Sequence, residues 1–120
     1  MKIKGILFDF NGTMLFDSAL QEDVWKKFLR SKIGREITNE EIHKYIHGGN
    51  NKTVLSYFFN KDFSNEEVQK LGEEKESMYR DMCLKDKKMF KLVKGLPDFL
   101  DKLKEAGIPI TIATGAPLSN

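Results

Sequence analysis

Apolar residues near the start of the chain run together instead of alternating with polar ones. Lys2 to Phe10 reads Lys-Ile-Lys-Gly-Ile-Leu-Phe-Asp-Phe, a short β-branched and aromatic run that predicts a buried strand. Gly12 breaks it, so Asp9 falls at or just past the strand's carboxyl end. From about Asp17 to Leu84 the period becomes helical. A capping box at Ser18 to Gln21 precedes an i, i+4 stripe of Leu20, Val24 and Phe28, joined by Trp25 and Leu29, and Gly34 ends that helix. Thr38 to Glu41 is a second capping box, opening a short helix with Ile42, Tyr45 and Ile46 inward. Gly48-Gly49-Asn50-Asn51 predicts a loop or tight turn, because these residues favour positive φ. Val54 to Phe59 predicts a further short helix with Tyr57, Phe58 and Phe59 in the core. Ser64 to Glu67 is a third capping box, leading a longer helix through Val68, Leu71, Met78 and Met82.

The last third changes again. Gly95-Leu96-Pro97 starts a helix with proline in its first turn, Leu96, Phe99, Leu100 and Leu103 give its buried face, and Gly107 closes it. Ile108 to Ala113 is a second β-branched strand, followed by Thr114 and Gly115. The predicted layout is strand, helical insert, helix, strand. A parallel sheet needs both faces covered and commonly has about four to six strands. The two strands here predict an unfinished architecture: a fragment, or a chain that associates with more of the fold.

Composition narrows the function classes. The 120 residues include 40% hydrophobic and 32% charged, which suits one small domain and not a disordered chain. A formal charge of +2 gives no global attraction for nucleic acid or for an anionic membrane. No apolar run approaches a membrane span, and no signal-peptide core follows the first residues. The single cysteine, Cys83, excludes an internal disulfide framework and points to a reducing cytoplasm. With only His43 and His47 beside it, no zinc constellation is present.

The candidate chemistry lies at the strand ends. Asp9-Phe10-Asn11-Gly12-Thr13 places a carboxylate, a glycine turn and a hydroxyl directly after an apolar strand. Ligands of open α/β folds bind outside the carboxyl ends of the strands, and carboxylates serve as nucleophiles toward phosphoryl groups. The same residues also describe a plain strand end with an Asn-Gly turn and a capping threonine. About a hundred residues later, Thr114-Gly115 puts a hydroxyl and a flexible backbone N–H at the end of a second strand. Alone this is an ordinary strand exit. If the strands are neighbours, Thr114 and Asp9 line one crevice, where hydroxyl and backbone donors can hold phosphate oxygens.

Taken together, these motifs resemble the N-terminal half of a haloacid dehalogenase superfamily member of the phosphatase and phosphomutase type, over nearly all 120 residues. Asp9 to Thr13 is similar to the family's first motif, Asp-x-Asp-Gly-Thr, and Thr114 to its second. The β-phosphoglucomutase-like subgroup is nearest in layout. The resemblance implies an α/β fold: a partial Rossmann-like parallel sheet in residues 1–15 and 89–120, with an inserted helical cap in residues 16–88, three-layered α/β/α when complete. It implies that Asp9 is the nucleophile, forming an aspartyl-phosphate, and that Thr114 and nearby N–H groups, including that of Gly115, bind the phosphoryl oxygens. Mg2+ would bridge Asp9 and phosphate, with the main-chain carbonyl of Asn11 as a further ligand.

Two departures qualify that reading. Asn11 stands where the family's hydrolases have an aspartate acting as general acid and base, and an amide exchanges no proton near neutral pH. The family's third and fourth motifs, a lysine and acidic metal ligands, lie beyond the second motif and do not occur before Asn120. The chain alone is therefore expected to turn over little or nothing. In the cap, Lys52 after the glycine pair, Lys75 on the long helix, Gln21 in the first helix and His47 beside Gly48 are candidate substrate contacts, each also readable as an ordinary surface residue. The expected function is Mg2+-dependent phosphoryl transfer from a small phosphorylated metabolite. The alternatives are phosphonoacetaldehyde-type carbon–phosphorus cleavage through a Lys52 imine, a non-catalytic binding protein with an impaired site and, last, dehalogenation.

Overall fold

The computed structural model of the chain describes residues 2–117. The elements run β1 (Ile6–Phe8), α1 (Ser18–Ile33), α2 (Asn39–Glu41) passing into a π-helical turn (Ile42–Ile46), α3 (Asn51–Phe59), α4 (Asn65–Lys85), α5 (Leu96–Glu105) and β2 (Ile110–Ile112). Strand, helical insert, helix, strand is the predicted order, and the fold is α/β. The chain forms two compact units, one of Ala19–Lys85 and one of the residues up to Ser18 together with those from Asp86 onward. Among the described residues no helix is long and apolar enough to cross a membrane.

The helical unit has its core where α1, the π turn and α3 meet. Trp25, Phe28 and Leu29 pack with Ile37, Ile42, Ile46, Val54, Leu55, Phe58 and Phe63, all buried. Local chemistry sets the helix starts. The Thr38 N–H donates to the Glu41 carboxylate at 2.9 Å and the Glu41 N–H to the Thr38 hydroxyl at 3.2 Å, a reciprocal box. Ser64 and Glu67 repeat it at 2.8 and 3.2 Å. After α2 the helix widens, because the His47 N–H reaches back five residues to the Ile42 carbonyl at 3.0 Å.

Several elements depart from expectation. Helix α1 begins at Ser18 itself, so Asp17, not Ser18, precedes it. Helix α3 begins at Asn51, since the Asn50 side chain caps the Thr53 N–H at 3.0 Å. The expected positive-φ loop shrinks to Gly48, at φ 71°. Gly49 is required for another reason: a Cβ there would lie 2.7 Å from the Tyr45 carbonyl oxygen. Along α4 the buried positions are Gly72, Lys75, Glu76, Tyr79 and Cys83, whereas Val68, Leu71, Met78 and Met82 are half-buried. The closest approach sets that phase, for Asn51 comes within 2.8 Å of where a Gly72 Cβ would sit. Tyr57, expected in the core, is 44% exposed, while Phe58 is buried.

In the other unit β1 and β2 pair in parallel, with Ile6 opposite Ile110, Leu7 opposite Thr111 and Phe8 opposite Ile112. The ladder is extended by Ile6 N–H to the Pro109 carbonyl at 2.9 Å and Ala113 N–H to the Phe8 carbonyl at 2.8 Å. Helix α5 buries Leu96 and Leu103, and its Phe99 meets Phe8 edge-on at 6.4 Å. The strands are not the buried ones expected: Leu7, Ile110 and Ile112 are exposed, as is Phe99, and Leu100 is half-buried. Two strands and one helix, the elements of this unit among the described residues, are too few to cover two sheet faces.

Candidate active site

Asp9 leaves the end of β1, and Thr114 leaves the end of β2 two residues past Ile112. The parallel register carries both out of the sheet at the same, carboxyl, end, and both are exposed. Beyond Asp9 the chain winds into a tight turn. The Phe10 carbonyl accepts from the N–H groups of Thr13, Met14 and Leu15 at 3.1, 2.8 and 3.2 Å, and the Gly12 N–H donates to the Leu15 carbonyl at 2.7 Å. Val93 fastens the turn from behind, its N–H donating to the Met14 carbonyl at 2.9 Å. Leu15 is fully buried there.

Side chains complete the turn. The Thr13 hydroxyl donates to Asp9 Oδ2 at 3.3 Å. The Asn11 amide donates from Nδ2 to Asp17 Oδ2 at 2.7 Å, and Asp17 is only 3% exposed. Sequence reading missed Asp17 as a site residue; its signal was a carboxylate placed between the motif and the first helix, read there only as the start of helical periodicity. At the second strand the Thr114 hydroxyl oxygen accepts from the Ala116 N–H at 3.1 Å. That bond uses a lone pair and leaves the hydroxyl hydrogen for an anion. Gly115 beside it is exposed.

The four helical-unit candidates occupy different settings. Lys52 is exposed in the first turn of α3, not in a loop. His47 is exposed and bonds Glu22 through Nε2 at 2.9 Å, with the His43 ring edge-on at 4.8 Å. Gln21 is half-buried on α1. Lys75 is buried, pairs with the neighbouring Glu76, and sets its ammonium 5.1 Å from the Trp25 ring centre.

His47 also borders a shallow cleft of about 590 Å³ floored by Gly48 and Gly49, with Lys44, Tyr45 and Tyr57 on its walls. Tyr45 and Tyr57 stack at 3.5 Å between ring centres. The Tyr57 hydroxyl, and then Lys44, hold the Tyr45 phenol below its ordinary pKa; the bond to Tyr45 raises that of Tyr57. The pairing was invisible in sequence, because the two tyrosines are separated by a loop.

Among the described residues no three His, Cys, Asp or Glu side chains gather to hold an ion. The Asp9 turn offers the Asp9 carboxylate and the Asn11 main-chain carbonyl. Both are oxygen donors, which suits a hard cation with its other ligands supplied by substrate and water.

Comparison with known proteins shows the family. A search of curated proteins finds no match. Among solved structures, a haloacid dehalogenase hydrolase of family IA, variant 3, from Entamoeba histolytica HM-1:IMSS superposes with a TM-score of 0.91 at 36% identity, covering 98% of this chain and 52% of that one. A mutant of CbbY from Rhodobacter sphaeroides, in complex with xylulose-(1,5)bisphosphate, gives 0.77 at 22% identity over 99% and 54%. A β-phosphoglucomutase from Clostridium difficile gives 0.68 at 23% identity over 92% and 51%. The chain thus spans about half the length of these relatives, and the last two likenesses show the fold alone. The family model of haloacid dehalogenase-like hydrolases matches residues 3–120. The chain belongs to the haloacid dehalogenase-like hydrolase family.

Proposed function

We propose that this chain carries the nucleophile and the phosphate-binding threonine of a phosphoryl-transfer site acting on a small phosphorylated metabolite, as a phosphatase or phosphomutase. The observation that carries this reading is the parallel pairing of β1 with β2, which sends Asp9 and Thr114 out of one sheet end. An Asp9 carboxylate oxygen forms a bond to phosphorus as the bond from phosphorus to the metabolite's oxygen breaks, its electron pair staying on that oxygen, which leaves an aspartyl-phosphate. The Thr13 hydroxyl orients the carboxylate through Oδ2. The Thr114 hydroxyl and the Gly115 N–H take the phosphoryl oxygens. Mg2+, held by the Asp9 carboxylate and the Asn11 main-chain carbonyl, would offset the charge that nucleophile and phosphate share. Lys52 and His47, exposed on the helical unit, are the proposed substrate contacts there, with Gln21 a further one; Lys75 is too buried to be a first choice. The exposed apolar residues of the β1–β2 sheet are the proposed seat for the remainder of the fold, in keeping with relatives about twice this length.

The test is Asp9→Asn in the intact protein that contains these residues. Phosphate release, and labelling of residue 9 by a phosphoryl donor, should both vanish. A variant that keeps the native rate would remove Asp9 from the chemistry.

A further inference from the structure

A surface feature lies apart from the strand ends. Residues 86–94 read Asp-Lys-Lys-Met-Phe-Lys-Leu-Val-Lys, four lysines and a single acid interleaved with large apolar side chains. The whole chain carries only +2, but at about 0.1 M salt a charge acts over only about 10 Å, so the local balance governs what meets this surface. The backbone closes into a turn: the Phe90 N–H donates to the Asp86 carbonyl at 2.9 Å and the Lys91 N–H to the Met89 carbonyl at 3.0 Å. Asp86 is spent on that turn, its Oδ1 accepting from the N–H groups of Lys88 and Met89 at 3.1 and 3.0 Å. Behind it the Val93 N–H ties the segment to the Met14 carbonyl. Lys87, Lys88, Lys91 and Lys94 are exposed, and among the described residues none of them is in an ion pair. Beside them Met89, Phe90 and Leu92 are 39%, 45% and 42% exposed.

We propose that this turn docks on an anionic membrane surface, with its lysines among the lipid headgroups and Met89, Phe90 and Leu92 at the acyl boundary. The whole turn belongs to one compact unit, and the proposal is independent of the phosphoryl-transfer reading. Charge complementarity selects the occupant. An apolar protein face, the remainder of the fold included, would strip water from unpaired ammonium groups, which is costly. An acidic protein face would meet Met89, Phe90 and Leu92 with groups that lose water and gain no partner there. Nucleic acid would use the lysines and could stack on Phe90, but it offers Met89 and Leu92 nothing. A membrane interface suits both kinds of side chain. Lysine stems lie along the apolar residues while the ammonium groups reach the phosphates, and binding there grows with buried apolar area and with attraction to anionic lipid together.

The experiment co-sediments the intact protein that contains these residues with vesicles of phosphatidylcholine and phosphatidylserine in a three-to-one ratio, and with vesicles of phosphatidylcholine alone. Binding is expected to the mixed vesicles only. It should fall as salt rises from about 0.1 M to about 1 M, where screening shortens to about 3 Å. The triple variant Lys87→Gln, Lys88→Gln, Lys91→Gln should lower the partition by about 100-fold, at about fivefold for each lysine near an anionic surface. Phe90→Trp reports insertion: its emission should shift to the blue on the mixed vesicles, over a constant background from the buried Trp25. Binding without that shift, equal binding to both kinds of vesicle, or a triple variant that binds as the native protein does would each overturn the proposal. So would a native protein that ignores the mixed vesicles, whether or not it binds a DNA oligonucleotide or polyglutamate instead. None of these results bears on Asp9, whose role is read from phosphate release.

Discussion

Lys75 and Glu76 are neighbours on α4, both buried, and they pair with each other while the Lys75 ammonium lies 5.1 Å from the centre of the Trp25 ring. A charge pair withdrawn from water is costly to break from one side, because the remaining ion keeps its desolvation and loses that attraction.

Lys75→Ala is therefore expected to cost about 3–5 kcal/mol of stability, read as a lowered urea midpoint. The double variant Lys75→Met, Glu76→Leu should recover most of that loss. A side chain serving mainly to touch substrate would behave oppositely, raising KM and leaving the midpoint where it was.

Asn11→Asp should exchange stability for activity. It replaces a 2.7 Å amide-to-carboxylate bond with two carboxyl groups at the same spacing, and like charges so close keep a proton between them. The native-state pKa of the pair would then lie above its unfolded value. The penalty, about 1–3 kcal/mol, is present above that raised pKa and fades as pH falls through it. Unfolding curves of the variant and native protein should converge on acidification.

Glu41 gives the opposite sign. The Arg35 guanidinium, and then the Thr38 N–H, lower its pKa from 4.5 to about 2. A depressed carboxyl stabilises the fold fully above 4.5, and that share disappears as pH falls toward 2. Glu41→Ala should lower stability at neutral pH by about 1 kcal/mol, the scale of a lost helix cap. The gap between variant and native protein should close between pH 4.5 and pH 2, measured by thermal melts across that window.

What was legible in the sequence was short-range. The boxes at Thr38 to Glu41 and Ser64 to Glu67 span three residues each, and both form as expected. Pro97 and Gly95 place the start of α5. That Asp9 and Thr114 each follow an apolar strand could be read from two runs and their glycines, whereas the parallel pairing that brings them to one sheet end is a finding of the structure. Tertiary contact decided the rest. The inward face of α4 is set by Gly72 against Asn51, a pairing across a loop that no periodicity encodes. Phe99 belongs to an apolar stripe yet faces water, because a stripe records what a helix can bury and says nothing of how much is there to cover it. Asp17 escaped notice as a site residue because its partner is an amide in the preceding turn, and hydrogen bonds between side chains leave no period.

Among the described residues, the sheet that carries Asp9 has an unpaired flank on each strand and shows Leu7, Ile110 and Ile112 to water, with Phe99 of α5 exposed as well. Bare β edges of that kind recruit any extended segment that drifts past. These 120 residues expressed by themselves are therefore expected to clump when concentrated, and a co-expressed strand-rich companion should act on their solubility before it acts on their chemistry.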